Sequence, residues 1–169
     1  MTAVDSAFDS PIETVTAGFA ATQIGENTVC VRGTDTRGNV SESVCVTFNV
    51  QYVFTGFTAP VDNDAVNIAL AGKTIPVKWP LTDGTGMPIS DPASFVGLYS
   101  YSVSCIDFTG EPTDVIEEYA AGASGLHYIG DGYWQYNWKT PKTYAGQCRK
   151  AYIKFADGMT SPHAKFKFQ

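Results

Sequence analysis

Charged side chains are scarce in this sequence, and those present lean towards one sign. They make up 17% of the 169 residues, and 17 acidic against 11 basic side chains give a formal net charge of −6. No basic cluster of the kind that contacts nucleic acid or anionic lipid is present. We therefore expect no nucleic-acid partner.

Long apolar runs and catalytic motifs are also missing. No stretch approaches the length that spans a bilayer, and "MTAVDSAFDS" lacks the basic region and apolar core of a signal peptide. We expect no membrane span, and we expect Met1 to belong to a fragment of a longer chain whose export signal lies upstream.

Side chains that could carry catalysis are few. The two histidines, His127 and His163, lie in unrelated contexts, and no Gly-x-Ser-x-Gly, His-Glu-x-x-His or phosphate-binding glycine loop occurs. The adjacent Glu117 and Glu118 would point to opposite faces of a strand, so we interpret both as solvated charges. The sequence predicts a protein that is not an enzyme and has no cofactor.

Sixteen glycines and nine prolines leave little room for helices. The aromatic residues, with valine and threonine, favour strands, so the sequence predicts an all-β protein. We place strands near 3–8, 13–19, 27–35 and 40–50, and then, after a turn-rich seam, near 52–57, 65–70, 74–82, 94–108, 113–120, 126–129, 133–140, 147–155 and 163–169.

The clearest local signal is the hairpin "NTVCVRGTDTRGNVSESVCVTFNV". A two-residue turn at Arg37–Gly38 would place Cys30 directly opposite Cys45, at a Cα distance of about 4.5–5.5 Å that a disulfide can bridge. The neighbouring valines would then share the other face. The alternative is two free thiols, and we predict the bridge.

The remaining cysteines are Cys105 and Cys148, which we expect to pair with each other across a loop of 43 residues. The other pairings would join the two halves of the chain. Four cysteines without a Cys-x-x-Cys motif favour an oxidised, exported protein over a metal site. We therefore expect an extracellular or cell-surface location.

The segment "TVCVRGTDTRGNVS" resembles the last hairpin of bacterial immunoglobulin-like repeats in large secreted proteins. The resemblance covers residues 3–50, which are too few for a sandwich of roughly 100 residues. It implies that residues 1–50 are the C-terminal strands of an incomplete repeat. The missing strands either precede this chain or come from another chain.

Five blocks of the second half resemble, in order and spacing, the PxKF domain of bacterial secreted multidomain proteins. They are "FTGFTAPVDN", "AVNIALAGKTIPVKWPL", "YWQYNWKT", "GQCRKAYIKFADG" and "AKFKFQ", and the motif reads Pro76-Val77-Lys78-Trp79. The resemblance covers residues 52–169 and implies a place near the C-terminus of a long protein, with no enzymatic activity. We expect residues 51–169 to form one complete immunoglobulin-like β-sandwich.

The row Trp134, Tyr136 and Trp138 shares one side of a predicted strand. It is either a platform on which a sugar ring stacks or the lining of a sandwich. The opposite side of the strand is more polar, and sandwich strands turn their apolar side inward. We predict a lining.

Two further residue sets have an alternative reading. Lys78 could form an isopeptide bond with Asn137 beside a buried carboxylate, but the alternation of its strand predicts a surface lysine. Asp62, Asn63, Asp64 and Asn67 offer oxygens that Ca²⁺ prefers, yet Asp and Asn also build turns by bonding to their own backbone. The same ambiguity applies to "TDTRGN", and we expect turns.

The sequence therefore predicts a non-catalytic extracellular structural module at the C-terminal end of a larger bacterial protein. Its partners would be neighbouring domains. One alternative is a carbohydrate or cell-wall binding module. Another is a subunit that exchanges strands with other copies of itself through its incomplete first half.

Overall fold

The computed structural model describes residues 23–120 and 125–169. The chain divides into two compact units, Met1–Val50 and Gln51–Gln169. The strands predicted near 3–8 and 13–19 lie outside the described residues. In the described part, no helix is long and apolar enough to cross a membrane.

In the first unit, the described residues 23–50 form an antiparallel hairpin. Strand β1 (Gly25–Val31) pairs with strand β2 (Val44–Val50), and Cys30 lies directly opposite Cys45. The two cysteines form a disulfide. The predicted bridge is confirmed, and so is the register that placed the cysteines face to face.

The predicted two-residue turn at Arg37–Gly38 is wrong. The turn is longer, with the Gly38 N–H donating to the Asp35 carbonyl at 3.0 Å and the Asp35 N–H donating to the Asn39 carbonyl at 3.0 Å. The Asp35 carboxylate accepts the N–H groups of Arg37 and Asn39 at 2.9 and 2.8 Å. Gly38 takes a φ of 87°, which favours glycine, so "TDTRGN" folds as an Asp-stabilised turn.

Within the second unit, residues 51–120 and 125–169 form nine strands and two short 3-10 helices. In chain order the strands are β3 (Val53–Phe54), β4 (Val66–Ala69), β5 (Thr74–Thr82), β6 (Phe95–Val103), β7 (Ile116–Glu117), β8 (Leu126–Gly130), β9 (Tyr133–Lys139), β10 (Cys148–Phe155) and β11 (Ala164–Phe168). The 3-10 helices span Pro92–Ser94 and Lys142–Tyr144. The strand predicted over 113–120 is reduced to two residues.

These strands form two sheets whose order is that of an immunoglobulin fold. One sheet runs β3-β5-β9-β8, which matches the A-B-E-D order, and the other runs β4-β11-β10-β6-β7, which contains the G-F-C order. Neighbours are antiparallel except β4 and β11, which are parallel. The predicted all-β, immunoglobulin-like sandwich is confirmed.

The core lies between the inner faces of these two sheets. Alternate residues of the long strands are buried there, as in the "iBiB" pattern of β5, because successive side chains of a strand point to opposite sides. The Trp138 ring packs edge-on against the rings of Phe166 and Phe168, at centroid distances of 5.2 and 5.8 Å. A disulfide joins Cys105 to Cys148 in this unit, as predicted.

Candidate functional site

The aromatic row of β9 lies inside the sandwich. Trp134, Tyr136 and Trp138 are 2%, 8% and 0% exposed, so none of the three offers a ring face to solvent. The indole N–H of Trp134 donates to the Ile89 carbonyl at 2.9 Å. The structure therefore places these side chains as a lining and leaves no sugar platform on this strand.

Glu118 is buried, which contradicts its interpretation as a solvated charge. It is 4% exposed, whereas its neighbour Glu117 is exposed on β7. Because successive side chains along a strand point to opposite sides, Glu117 faces solvent and Glu118 faces the interior. The backbone N–H of Glu118 extends the pairing with β6 by donating to the Leu98 carbonyl at 2.8 Å.

Three side chains donate hydrogen bonds to the buried carboxylate. The Ser100 hydroxyl and the Tyr144 hydroxyl, the latter at 2.7 Å, bind Oε1, and the indole N–H of Trp138 binds Oε2 at 2.8 Å. Ser100 lies on β6 and Trp138 lies on β9, which belong to different sheets. The Glu118 carboxylate thus joins the two sheets across the core, and we call these four residues the carboxylate brace.

Arg149 supplies the compensating charge. Its side chain is 2% exposed, and its Nε donates to the Ser100 hydroxyl at 2.8 Å, so the guanidinium reaches the carboxylate through that hydroxyl. The guanidinium carbon lies 4.3 Å from the centre of the Tyr144 ring. Asp114, at 4.0 Å from Nη1, neutralises the outer side of the guanidinium.

The tyrosines around Glu118 stay protonated over the physiological range. Burial and the carboxylate raise the pKa of Tyr144 to about 12, and burial with the charges of Glu117 and Glu118 raises the pKa of Tyr136 to about 12. Tyr136 also donates its hydroxyl to the Glu118 carbonyl at 2.7 Å. Each tyrosine hydroxyl therefore remains a hydrogen-bond donor at neutral pH.

The buried carboxylate that an isopeptide bond needs does not lie on the side of the sheet that carries Lys78 and Asn137. Lys78 lies opposite Gln135 in the β5–β9 register and is half-buried. The Asn137 side chain accepts a hydrogen bond from Gln135 at 2.8 Å. The buried carboxylate of Glu118 binds Trp138, whose side chain points to the other side of β9 from Asn137.

Asp62, Asn63 and Asp64 lie in the turns between β3 and β4, and Asn67 lies on β4. Asp62 accepts the N–H groups of Asp64 and Ala65, both at 2.8 Å, and these bonds lower its pKa. Asn67 accepts the Asp62 N–H at 2.8 Å, and Asn63 accepts the Phe57 N–H at 2.7 Å. Among the described residues, no group of three or more His, Cys, Asp or Glu side chains could hold a metal ion.

One aromatic cluster was missed by the sequence analysis. On the outer side of the β6–β10–β11 sheet, Tyr99 stacks on Tyr152 at 5.7 Å and Tyr152 stacks on His163 at 4.7 Å. Tyr101 contacts Nδ1 of His163 at 3.0 Å. The alternation in "GLYSYSV" was the signal that could have revealed it. Because the rings stack on one another, they largely cover each other's faces.

Comparisons with known proteins assign this chain to no family. No family model matches the chain, and no curated protein matches it. A solved structure that matches is a chimeric titin Z1Z2–Z1Z2 tandem functionalised with a GRGDS exogenous peptide from fibronectin; it is 12% identical, with a TM-score of 0.30. The match covers 85% of this chain and 63% of that chain, less than two thirds of its length. A TM-score this low carries no argument, and the fold assignment rests on the strand topology.

Proposed function

We propose that this chain is a non-catalytic structural module of an exported protein, which spaces neighbouring domains and stays folded under tension. The observation that carries this proposal is the parallel pairing of β4 with β11, the strands closest to the two ends of the second unit apart from the two-residue β3. These strands decide how a pulling force reaches the sandwich.

Tension on the two ends loads the β4–β11 pair in shear. The force reaches β4 at its N-terminal end and β11 at its C-terminal end, so it pulls two parallel strands in opposite directions along their common axis. The hydrogen bonds between them then share the load and must break together. A pair pulled apart from one end would instead lose its bonds one at a time.

The interior supports the same role. The carboxylate brace joins the two sheets by side-chain hydrogen bonds, and the Cys105–Cys148 disulfide closes a segment of 43 residues that cannot extend while it is oxidised. Two disulfides also favour an oxidising, extracellular compartment. The place in a bacterial secreted or surface protein, near its C-terminus, is part of the proposal and rests on the resemblance to PxKF modules.

Single-molecule pulling of the full chain between its ends tests the proposal. We expect the second unit to unfold in one step at high force. Reduction of the disulfides should lengthen that step by about 150 Å, because Cys105 and Cys148 are separated by 43 positions in the sequence and each position adds about 3.6 Å.

A matched pair of proline variants tests the shear argument itself. The Ala69 carbonyl accepts the Gln169 N–H at 2.9 Å, so the Ala69 backbone faces β11, whereas Ile68 faces the other edge. Ala69→Pro should lower the unfolding force, and Ile68→Pro should leave it close to that of the unchanged chain. Unfolding at low force in the unchanged chain, or equal effects of the two prolines, would contradict the proposal.

A second candidate function is assembly through the first unit. Val31, Val44 and Val46 on one face of the β1–β2 hairpin are 42%, 70% and 64% exposed. An exposed valine face of this kind could receive strands from another chain. Val44→Lys with Val46→Lys should abolish self-association if the hairpin mediates it.

A further inference from the structure

Strand β4 has one edge without a strand partner in the described part of the chain. It is the first strand of its sheet and pairs only with β11. The backbone of Ala69 and Ala71 bonds to Gln169 on the β11 side. Because the backbone groups of a strand alternate in direction, those of Val66 and Ile68 point to the open edge. The N–H of Leu70, the residue after β4, does so too, whereas its carbonyl accepts the Lys73 N–H at 3.3 Å.

The same three residues expose apolar side chains. Val66, Ile68 and Leu70 are 38%, 59% and 57% exposed, and they share one side of the strand, opposite to the half-buried Asn67 and Ala69. Edge strands of soluble proteins commonly carry charge or proline there to prevent pairing. This edge carries neither.

A groove of about 480 Å³ runs beside the open edge. Its other wall is formed by the start of β5, including Ile75 and Pro76, and Phe166 contributes to its lining. The groove keeps the open edge of β4 accessible to an incoming strand.

We infer that β4 is a dimerisation edge, at which a second copy of this chain adds its own β4 in antiparallel orientation about a two-fold axis at Ile68. The occupant is a second copy because the edge is complementary to itself. Ile68 would lie opposite Ile68 of the partner subunit, and Val66 opposite Leu70 of the partner subunit. The exposed apolar side chains would then cover one another.

The backbone geometry selects this register. Only even-numbered residues face the open edge, so a shift by one residue would oppose groups that point away from each other. Centring on Ile68 lets all three residues of each copy take part, with about four backbone hydrogen bonds between the copies, because the Leu70 carbonyl is already bonded to Lys73. The two five-stranded sheets would become one continuous sheet of ten strands.

The charges select the antiparallel orientation. Asp64 precedes the edge and Lys73 follows it, and both are exposed. Antiparallel pairing brings the Asp64 carboxylate of one copy near the Lys73 ammonium group of the other at both ends of the interface. Parallel pairing would instead place like charges together, which disfavours it.

The outer lysines of β11 do not oppose this arrangement. Lys165 and Lys167 lie opposite Val66 and Ile68 in the β4–β11 register. In the dimer they would be three strand spacings, or about 14 Å, from those of the other copy. Their repulsion is largely screened at physiological salt, where the Debye length is about 8 Å.

Sedimentation equilibrium of the oxidised full chain, from micromolar to millimolar concentration, tests the inference. We expect the average mass to rise from 18.2 kDa towards twice that value. Ile68→Lys should reduce the association constant by about tenfold or more, because it places two ammonium groups face to face on the axis. Ile106→Lys is the matched control, since Ile106 is 96% exposed elsewhere, and it should leave the association unchanged.

Charge reversal separates this edge from any other contact. Asp64→Lys alone and Lys73→Asp alone should each weaken the dimer, and the two together in one chain should restore it. A chain that stays monomeric throughout overturns the inference, and an unidentified extended peptide then becomes the candidate occupant. The inference is also overturned if Ile68→Lys still associates and the variant with Val44→Lys and Val46→Lys does not. The first unit would then form the contact between copies.

Discussion

Replacing Glu118 by glutamine should destabilise the second unit severely, although the two side chains have nearly the same shape. The Glu118 carboxylate is surrounded by donors: the Ser100 and Tyr144 hydroxyls at Oε1 and the Trp138 indole N–H at Oε2. An amide offers one acceptor oxygen and one NH₂ group that only donates. Whichever way the amide lies, at least one of the three donors loses its acceptor.

The magnitude follows from the best orientation of the amide. With its oxygen towards Trp138, the amide accepts the indole N–H, and its NH₂ group faces the Ser100 and Tyr144 hydroxyls, whose oxygens can accept but whose protons lose the carboxylate acceptor. A hydrogen bond to a charged group is lost, at about 1.5–3 kcal/mol, and buried donors are left without an acceptor, at about 1–3 kcal/mol. The buried Arg149 also loses the inner of its two nearby carboxylates and keeps only Asp114. We expect Glu118→Gln to lower the free energy of unfolding by about 3–5 kcal/mol, or the midpoint by about 10–20 °C.

Denaturant unfolding followed by tryptophan fluorescence measures this loss. All three tryptophans of the sequence lie in the second unit, so the signal reports that unit alone. Glu117→Gln is the matched control, since it makes the same chemical change one residue away on the exposed side of β7, and it should cost within about 0.5 kcal/mol. Equal effects of the two variants would refute the reasoning from buried donors.

Three smaller predictions concern the disulfide, the outer cluster and the buried tyrosines. Replacing Cys105 and Cys148 by serine should lower the free energy of unfolding by about 4 kcal/mol for a closed loop of 43 residues, measured in urea. Burial and a nearby lysine lower the pKa of His163 below 6.5, so the unfolded chain binds a proton that the folded chain resists. Stability should therefore be complete above pH 6.5 and fall below it, and His163→Phe should flatten that slope in pH-dependent urea unfolding. Tyr136 and Tyr144 should titrate near pH 12 in ultraviolet absorbance, and phenylalanine at either position should remove one late-titrating group.

The strand pattern was predictable because it is local. Alternating side chains identified the inner residues of β5 and β9, and the spacing of Cys30 and Cys45 within one hairpin gave their pairing. The turn between those strands was predicted wrongly because its shape depends on the Asp35 side chain, which bonds to the backbone of Arg37 and Asn39. The alternation of side chains along a strand carries no information about these hydrogen bonds within the turn.

The carboxylate brace and the open edge were not predictable because they depend on contacts between distant segments. The partners of Glu118 lie 18, 20 and 26 residues away, on three different elements. Nothing in "VIEEY" distinguishes a glutamate that faces donors from one that faces water. The open edge of β4 follows from its pairing with β11, about 98 residues later in the chain, which fixes the residues that face outward.

A double-mutant cycle would show whether the brace acts as one unit. Trp138→Phe removes the indole N–H and leaves the Glu118 oxygen Oε2 with one donor fewer, so it should destabilise the chain alone. In the background of Glu118→Gln the same change removes a bond to a neutral amide oxygen instead of a bond to a carboxylate, and it should cost less. We expect a coupling free energy of about 1–3 kcal/mol between the two positions. Additive losses would mean that each side chain contributes by packing alone, and the sheets would then be joined by apolar contacts rather than by the carboxylate.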